Sequence, residues 1–132
     1  PGQFAYQRDL EREADSFALE MLLAQKSSDA DRAIAVIGPM AMFISLIFRL
    51  RSFTQFSSEK HPDIDERIIY LIEDSGVRLP EWREPLIMIA SIGFSHFEQL
   101  IYGPKESTVH ETAEELLASW KERLKRLKER ET

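Results

Sequence analysis

Residues 33–48 read AIAVIGPMAMFISLIF, a run of 16 residues without a charged side chain. A helix that is apolar on all sides lies in a protein core or crosses a membrane. The run is shorter than the roughly 20 residues that span a bilayer, and Gly38-Pro39 interrupts it. We therefore expect the central helix of a bundle, with a kink or a restart at the proline, and a membrane span is unfavoured.

Amphipathic segments on both sides of this run predict further helices. Residues 10–23, LEREADSFALEMLL, form the first, and Ser28 or Asp29 can cap the central helix. A third helix follows a capping box of Asp63 and Glu66 and ends at Gly76. The expected buried face of the first helix consists of Leu10, Ala14, Phe17, Ala18, Met21 and Gln25.

Two more helices complete the predicted chain. Residues 77–85, VRLPEWREP, read as a connector to a helix over 85–102, in which Gly93 would let another helix approach closely. The last helix begins near Thr108 and carries a nearly heptad apolar face. The sequence thus predicts an all-α, compact bundle of about five helices. Residues 1–104 form the helical core, and residues 105–132 form an amphipathic helix that docks on the core or on a partner.

Composition excludes several classes of function. The chain has 132 residues, 17 of them basic and 23 acidic, so its net charge of −6 argues against a nucleic-acid surface. There is no cysteine, which excludes disulfides and thiolate metal sites and makes a reducing cytoplasm the simplest compartment. The five glycines are isolated from one another, so no phosphate-cradling loop is expected.

Candidate chemical groups are few. Glu11 and Asp15 stand four residues apart on one helix, where like charges repel by a few tenths of a kcal/mol unless a cation compensates. None of the three histidines pairs with another at the spacing that clamps zinc from one helix. His96 reads as a residue at the edge of the core and His110 as exposed, whereas Pro62 restrains the backbone of His61.

The order of three segments carries a resemblance to a known family. LEREADSFALEMLL, the apolar run and HPDIDERIIYL at residues 61–71 resemble zinc metallopeptidases of the HExxH type. More narrowly, they are similar to the family of the CAAX prenyl endopeptidase and the bacterial heat-shock membrane peptidase. There, an ExxxD segment follows the HExxH helix and an HPxxxxR segment comes later. The likeness covers residues 10–72 and implies the second half of a zincin-like domain.

The resemblance assigns roles to four residues. Glu11 matches the third zinc ligand, and Asp15 matches the acidic residue that orients a zinc-bound histidine. His61 matches a histidine that stabilises the oxyanion of the reaction, and Arg67 matches an arginine that braces its segment. Zinc and a peptide or protein substrate are then expected in the intact parent.

The HExxH motif itself is missing from the 132 residues. We therefore expect a C-terminal fragment of a metallopeptidase that binds no zinc and hydrolyses no peptide alone. The alternative is a non-catalytic helical interaction or regulatory module. It would form a homo-oligomer or bind a partner helix through Leu116, Trp120, Leu124 and Leu127 of the last helix.

Overall fold

The computed structural model describes residues 2–49, 64–102 and 112–131, which form five helices and no strand. The prediction of a compact all-α bundle is confirmed. In chain order the helices are α1 (Gly2–Leu23), α2 (Asp29–Arg49), α3 (Ile64–Asp74), α4 (Pro80–Tyr102) and α5 (Ala113–Glu131).

Helix α2 lies at the centre and packs against α1, α3 and α4. Its inward face repeats at three- and four-residue steps, as expected for one side of a helix. The buried side chains on this face are Ala33, Val36, Met40, Phe43 and Ile47. Burial is one-sided, however, because Ile34, Met42 and Phe48 are each more than half exposed. Of the two outcomes predicted at Pro39, a kink or a restart, the restart is wrong, since α2 runs through the proline as one helix.

Helices α2 and α4 run parallel to each other, and three contacts along their length define the register. At the start, the Asp29 carboxylate accepts hydrogen bonds from the backbone N–H groups of Arg78 and Leu79 at 2.8 and 2.7 Å. These two bonds, that from Leu79 first, lower the pKa of Asp29. At the far end, the rings of Phe48 and His96 stack with centroids 4.3 Å apart.

Gly93, near the middle of α4, provides a further contact with the last turns of α2. A Cβ at position 93 would lie 3.2 Å from Ile47 Cδ1 and 3.3 Å from Ile44 Cγ1. The predicted close approach of another helix at this glycine is therefore confirmed, and the other helix is α2. Since α2 and α4 are parallel, α3 between them runs back in the opposite direction.

A tight turn joins α3 to α4. Gly76 has a φ of 77°, which confirms it as the residue that ends α3, since a left-handed conformation is costly for any residue with a side chain. The guanidinium of Arg32 on α2 packs beside it and donates a hydrogen bond to the Ser75 carbonyl at 3.1 Å. Ser75 is itself buried, and its hydroxyl accepts from the Val77 N–H at 3.1 Å.

Helix α5 docks on α3 and α4 through its apolar face. Leu117, Trp120 and Leu124 are buried, and the Trp120 ring stacks on Phe94 with centroids 4.2 Å apart. Ion pairs frame the contact, because Arg83 of α4 binds Glu114 and Lys121 binds Glu73 of α3. These three side chains are therefore covered within the chain, while the side chain of Leu127 lies outside the described part of the structure.

Several helix boundaries differ from the sequence-based expectation. Helix α1 begins at Gly2, eight residues early, and α4 begins at Pro80 because proline suits a first helical position that needs no N–H. Helix α5 begins later than predicted, at Ala113, with Thr112 Oγ1 accepting the Glu115 N–H at 3.2 Å as its cap. The predicted caps Asp63 and Thr108, and also His110, lie outside the described residues.

Helix α2 is also the one described helix that is long and apolar enough to cross a membrane. An 18-residue window within it has a mean hydropathy of 1.7, and 28% of that window is buried in the bundle. The core helix of a soluble protein passes the same test of length and composition, and α2 packs against α1, α3 and α4.

Two glycines form a matched pair for testing the turn. Gly76→Ala should lower the free energy of unfolding by about 1–2 kcal/mol because its φ is left-handed. Gly38→Ala, inside α2, should change it by less than about 1 kcal/mol, because a Cβ there meets no atom within 4 Å apart from its chain neighbours and the helix backbone, and crowding by Pro39 offsets the gain in helix propensity. Urea denaturation of both variants measures the difference, and a stabilising Gly76→Ala would contradict the assigned turn.

Candidate functional site

Helix α1 turns the opposite face toward the bundle from the one predicted. Leu10, Phe17 and Met21 are 46%, 64% and 65% exposed, while Leu19 and Leu23 are buried. The predicted buried face is thus wrong. The inward side of α1 also carries charged residues. They can face the bundle because α3 provides partners of opposite charge.

Asp15 and Arg67 form the strongest of these charge contacts. Arg67 Nε donates to Asp15 Oδ2 at 2.7 Å, and Arg67 Nη2 donates to Asp15 Oδ1 at 2.8 Å. The side chains are 27% and 24% exposed, so the pair is sheltered from water. The guanidinium also lies 4.6 Å from the centre of the Phe43 ring on α2. This two-bond geometry, which is among the stronger kinds of ion pair, joins the ExxxD segment to the HPxxxxR segment.

A second ion pair lies beside the first. Arg12 Nη2 is 2.6 Å from Asp74 Oδ2, and the Arg12 guanidinium lies 3.7 Å from the centre of the Tyr70 ring. The Tyr70 hydroxyl donates to Glu66 Oε1 at 2.8 Å. Sequence analysis missed this group. The spacing of Tyr70 four residues after Glu66 was the available signal for one of its bonds.

The environment of Tyr70 holds its phenol in the protonated form. Burial is the main cause, followed by the hydrogen bond to the Glu66 carboxylate and the negative charge of that carboxylate. Together they raise the pKa of Tyr70 to about 12, against the opposing effect of the Arg12 charge.

A groove of about 240 Å³ opens between α1, α2 and α3 beside both ion pairs. Arg12, Asp15, Arg67 and Asp74 line it together with Tyr70. The rest of its lining is mainly apolar and includes Ala18, Leu22, Pro39, Met42, Phe43 and Leu71. The groove is therefore an apolar trough with paired charges along its edge.

Asp65 is a buried carboxylate that the sequence analysis also missed. Its side chain has no exposed surface, and its Oδ1 accepts the Glu66 N–H at 3.0 Å. The signal was its position three residues before Ile68 and seven before Ile72, on the buried face of α3. It lies in the first turn of α3, within the HPxxxxR segment.

The four predicted site residues fare differently. The structure brings Asp15 and Arg67 together, while Glu11 is half-buried one helical turn before Asp15 and does not line the groove. His61 lies outside the described residues. In the described part of the chain, no three His, Cys, Asp or Glu side chains form a possible metal-binding group. Zinc takes three protein ligands in a catalytic site, so these described residues alone do not form a complete ligand set.

Comparison with protein families identifies the class of the chain. A family model described as Peptidase U49 matches residues 2–81, a range that contains both the ExxxD and the HPxxxxR segments. The protein is thus peptidase-related. It belongs to the Peptidase U49 family. No curated protein and no solved structure matches the chain.

The family match supports part of the resemblance found in the sequence. It confirms a relationship to peptidases and indicates a peptide or protein as the substrate class. It does not bear on the narrower likeness to the CAAX prenyl endopeptidase family or on the HExxH mechanism. Those statements and the roles of the four residues remain predictions.

The Asp15–Arg67 pair should contribute measurably to stability. In a double-mutant cycle of Asp15→Asn and Arg67→Gln, we expect a coupling free energy of about 1 kcal/mol, because two charge-assisted bonds form away from bulk water. The matched cycle on Arg12 and Asp74, which are 32% and 40% exposed, should give only a few tenths. Equal couplings measured by urea denaturation would contradict this ranking.

The raised pKa of Tyr70 predicts a loss of stability in alkali. Between pH 10 and 12 the unfolded phenol loses its proton while the folded phenol keeps it, so the unfolding free energy falls as the pH rises. Tyr70→Phe should remove this part of the pH dependence. Difference titration at the phenolate absorption band, wild type minus Tyr70→Phe, should give a pKa of about 12; an apparent pKa near 10 would contradict the assigned environment.

Proposed function

We propose that this chain is the C-terminal part of a zinc-dependent metallopeptidase and supplies the third metal ligand and cleft residues to it. The observation that supports this most directly is the Asp15–Arg67 pair, because it joins the two segments that resemble the HExxH peptidases. Both segments lie within the stretch that matches the peptidase family. The chain alone is inactive under this proposal, because its sequence has no HExxH motif.

Each residue of the proposed site has a role that suits its chemistry. The Glu11 carboxylate would bind the zinc ion, as carboxylate oxygens do at about 2.0–2.2 Å. When bound, zinc supplies polarisation of the peptide carbonyl and acidification of a water. His61 would donate a hydrogen bond to the oxygen that gains negative charge during the reaction.

Asp15 can serve its two partners at once. Each carboxylate oxygen has two lone pairs, and the contacts with Arg67 use one on each oxygen. A second acceptor position therefore remains for the ring N–H of a zinc-bound histidine. Arg67 would hold the carboxylate in a fixed orientation through its two hydrogen bonds, which is the role of a residue that positions a ligand through its neighbour.

The exposed apolar face of α1 supports the same proposal. Leu10, Phe17 and Met21 form a stripe on the side of α1 that faces away from the bundle. A helix carrying HExxH that packed on this stripe would cover it. It would also lie beside Glu11, which borders the stripe.

The same stripe is what now favours the alternative function, a helical interaction module. The sequence-based version of that function used α5, in which Trp120 and Leu124 are buried within the chain. An interaction module would therefore use α1 instead, with Leu10, Phe17 and Met21 as its contact residues.

The reading frame upstream of residue 1 provides the first test. The metallopeptidase proposal requires an HExxH segment there, and a frame without one would contradict it and favour the interaction module. For a protein that includes such a segment, we expect one zinc ion per chain. Asp15→Asn should then weaken zinc binding about 10–100-fold, and Glu11→Gln should weaken it at least as much.

Glu13→Gln is the matched control for the metal test. Glu13 is exposed and lies two residues along α1, where the helix points its side chain away from that of Glu11. The zinc affinity of the Glu13→Gln protein, measured by competition with a chelator, should equal that of the unsubstituted protein. Equal affinities of the Glu11→Gln and Glu13→Gln proteins would remove Glu11 from the proposed ligand set.

A further inference from the structure

We propose that the groove between α1, α2 and α3 binds one bulky, uncharged side chain of a peptide. This inference rests on the proposed peptidase function for the identity of the occupant. The groove has a volume of about 240 Å³, which is below the roughly 300–1,000 Å³ of sites that hold a whole drug-sized ligand. It therefore suits a single side chain.

The charges along the groove determine which side chains fit. All four charged residues that line it belong to the two ion pairs, Arg67 with Asp15 and Arg12 with Asp74. A charged side chain entering the groove would lose its hydration and would have to separate one of these pairs to gain a partner. An apolar side chain displaces water from the surface of Met42, Phe43 and Leu71 without that cost.

The position of the groove relates it to the proposed cleavage site. Glu11, Asp15, Ala18 and Leu22 follow one another at steps of four, three and four, so they form a single row along α1. The last three line the groove, and Glu11 comes one turn before them, about 5.4 Å along the axis. A peptide residue spans about 3.3–3.6 Å. The groove is thus within reach of a side chain next to the cleaved bond.

Methionine methyl groups allow a direct binding test on the 132-residue chain. Met42 lines the groove and is 53% exposed, whereas Met88 on α4 is 56% exposed and does not line it. With ¹³C-methyl labelling, N-acetyl-leucinamide and N-acetyl-phenylalaninamide should shift the Met42 resonance in a saturable manner and leave Met88 in place. The amides of N-acetyl-lysine and N-acetyl-glutamate should shift neither.

Two variants that each replace an alanine with tryptophan test the location of binding. Ala18→Trp should fill the groove and weaken binding of the leucine amide at least tenfold. Ala14→Trp introduces the same side chain one turn earlier at an exposed position that does not line the groove, and its binding should be unchanged. Circular dichroism of both variants checks that the helices persist.

Three results would overturn the proposal: equal shifts of Met42 and Met88, equal shifts caused by charged and apolar amides, or unchanged binding in Ala18→Trp with its helices intact. The amide titration needs no zinc, so it separates this inference from the proposed function. If Met42 responds to the amides but the upstream reading frame contains no HExxH segment, the metallopeptidase proposal is contradicted and the proposed binding in the groove is retained. If Met42 does not respond but an HExxH segment is present upstream, only the proposed binding in the groove is contradicted.

Discussion

The parallel packing of α2 against α4 is the constraint on which the rest of the bundle depends. Asp29 holds the start of α4 through two backbone N–H groups, and Gly93 lets α4 approach the C-terminal turns of α2 closely. Two neighbouring helices of the bundle can run parallel only if the chain returns between them. Helix α3 makes that return, and the left-handed Gly76 turns it into α4.

This return path is what gives Arg67 its position. Because α3 runs against α2, its N-terminal half lies along the C-terminal half of α2, where Arg67 contacts the Phe43 ring. From that place its guanidinium reaches across to Asp15 on α1. The meeting of residues 52 positions apart is thus a consequence of the helix order and of one close contact at a glycine.

Local sequence patterns predicted the parts of the fold that depend on one segment at a time. The apolar run at 33–48 gave the central helix, and the buried face with Ile68 and Ile72 followed from their spacing. The predictions for Gly76 and Gly93 were confirmed, because each glycine can be placed at a helix end or on a helix face from the few residues around it. Pro39 misled the prediction of a restart, since a proline removes one N–H of a helix and packing on three sides can hold the helix together.

The resemblance proposed the residue types of the candidate site, but the sequence did not predict how they are arranged. Asp15 and Arg67 were chosen separately from a resemblance, and no periodicity could state that they bind each other across two helices. Arg12 and Tyr70 were missed because their contacts come from different helices as well. A contact between distant segments depends on the whole arrangement of helices, which a pattern in one helix does not encode.

The reversed face of α1 shows how an apolar stripe can mislead. The stripe of Leu10, Phe17 and Met21 predicts burial, since apolar surface is driven out of water. Yet Arg12 and Asp15 each find an oppositely charged partner on α3, and Leu19 and Leu23 provide apolar contact on that same side. If α1 turned its stripe inward, both ion pairs would be lost and four charges would need other partners. Helix α1 therefore packs through its mixed face, and its apolar face remains as surface that another helix can cover.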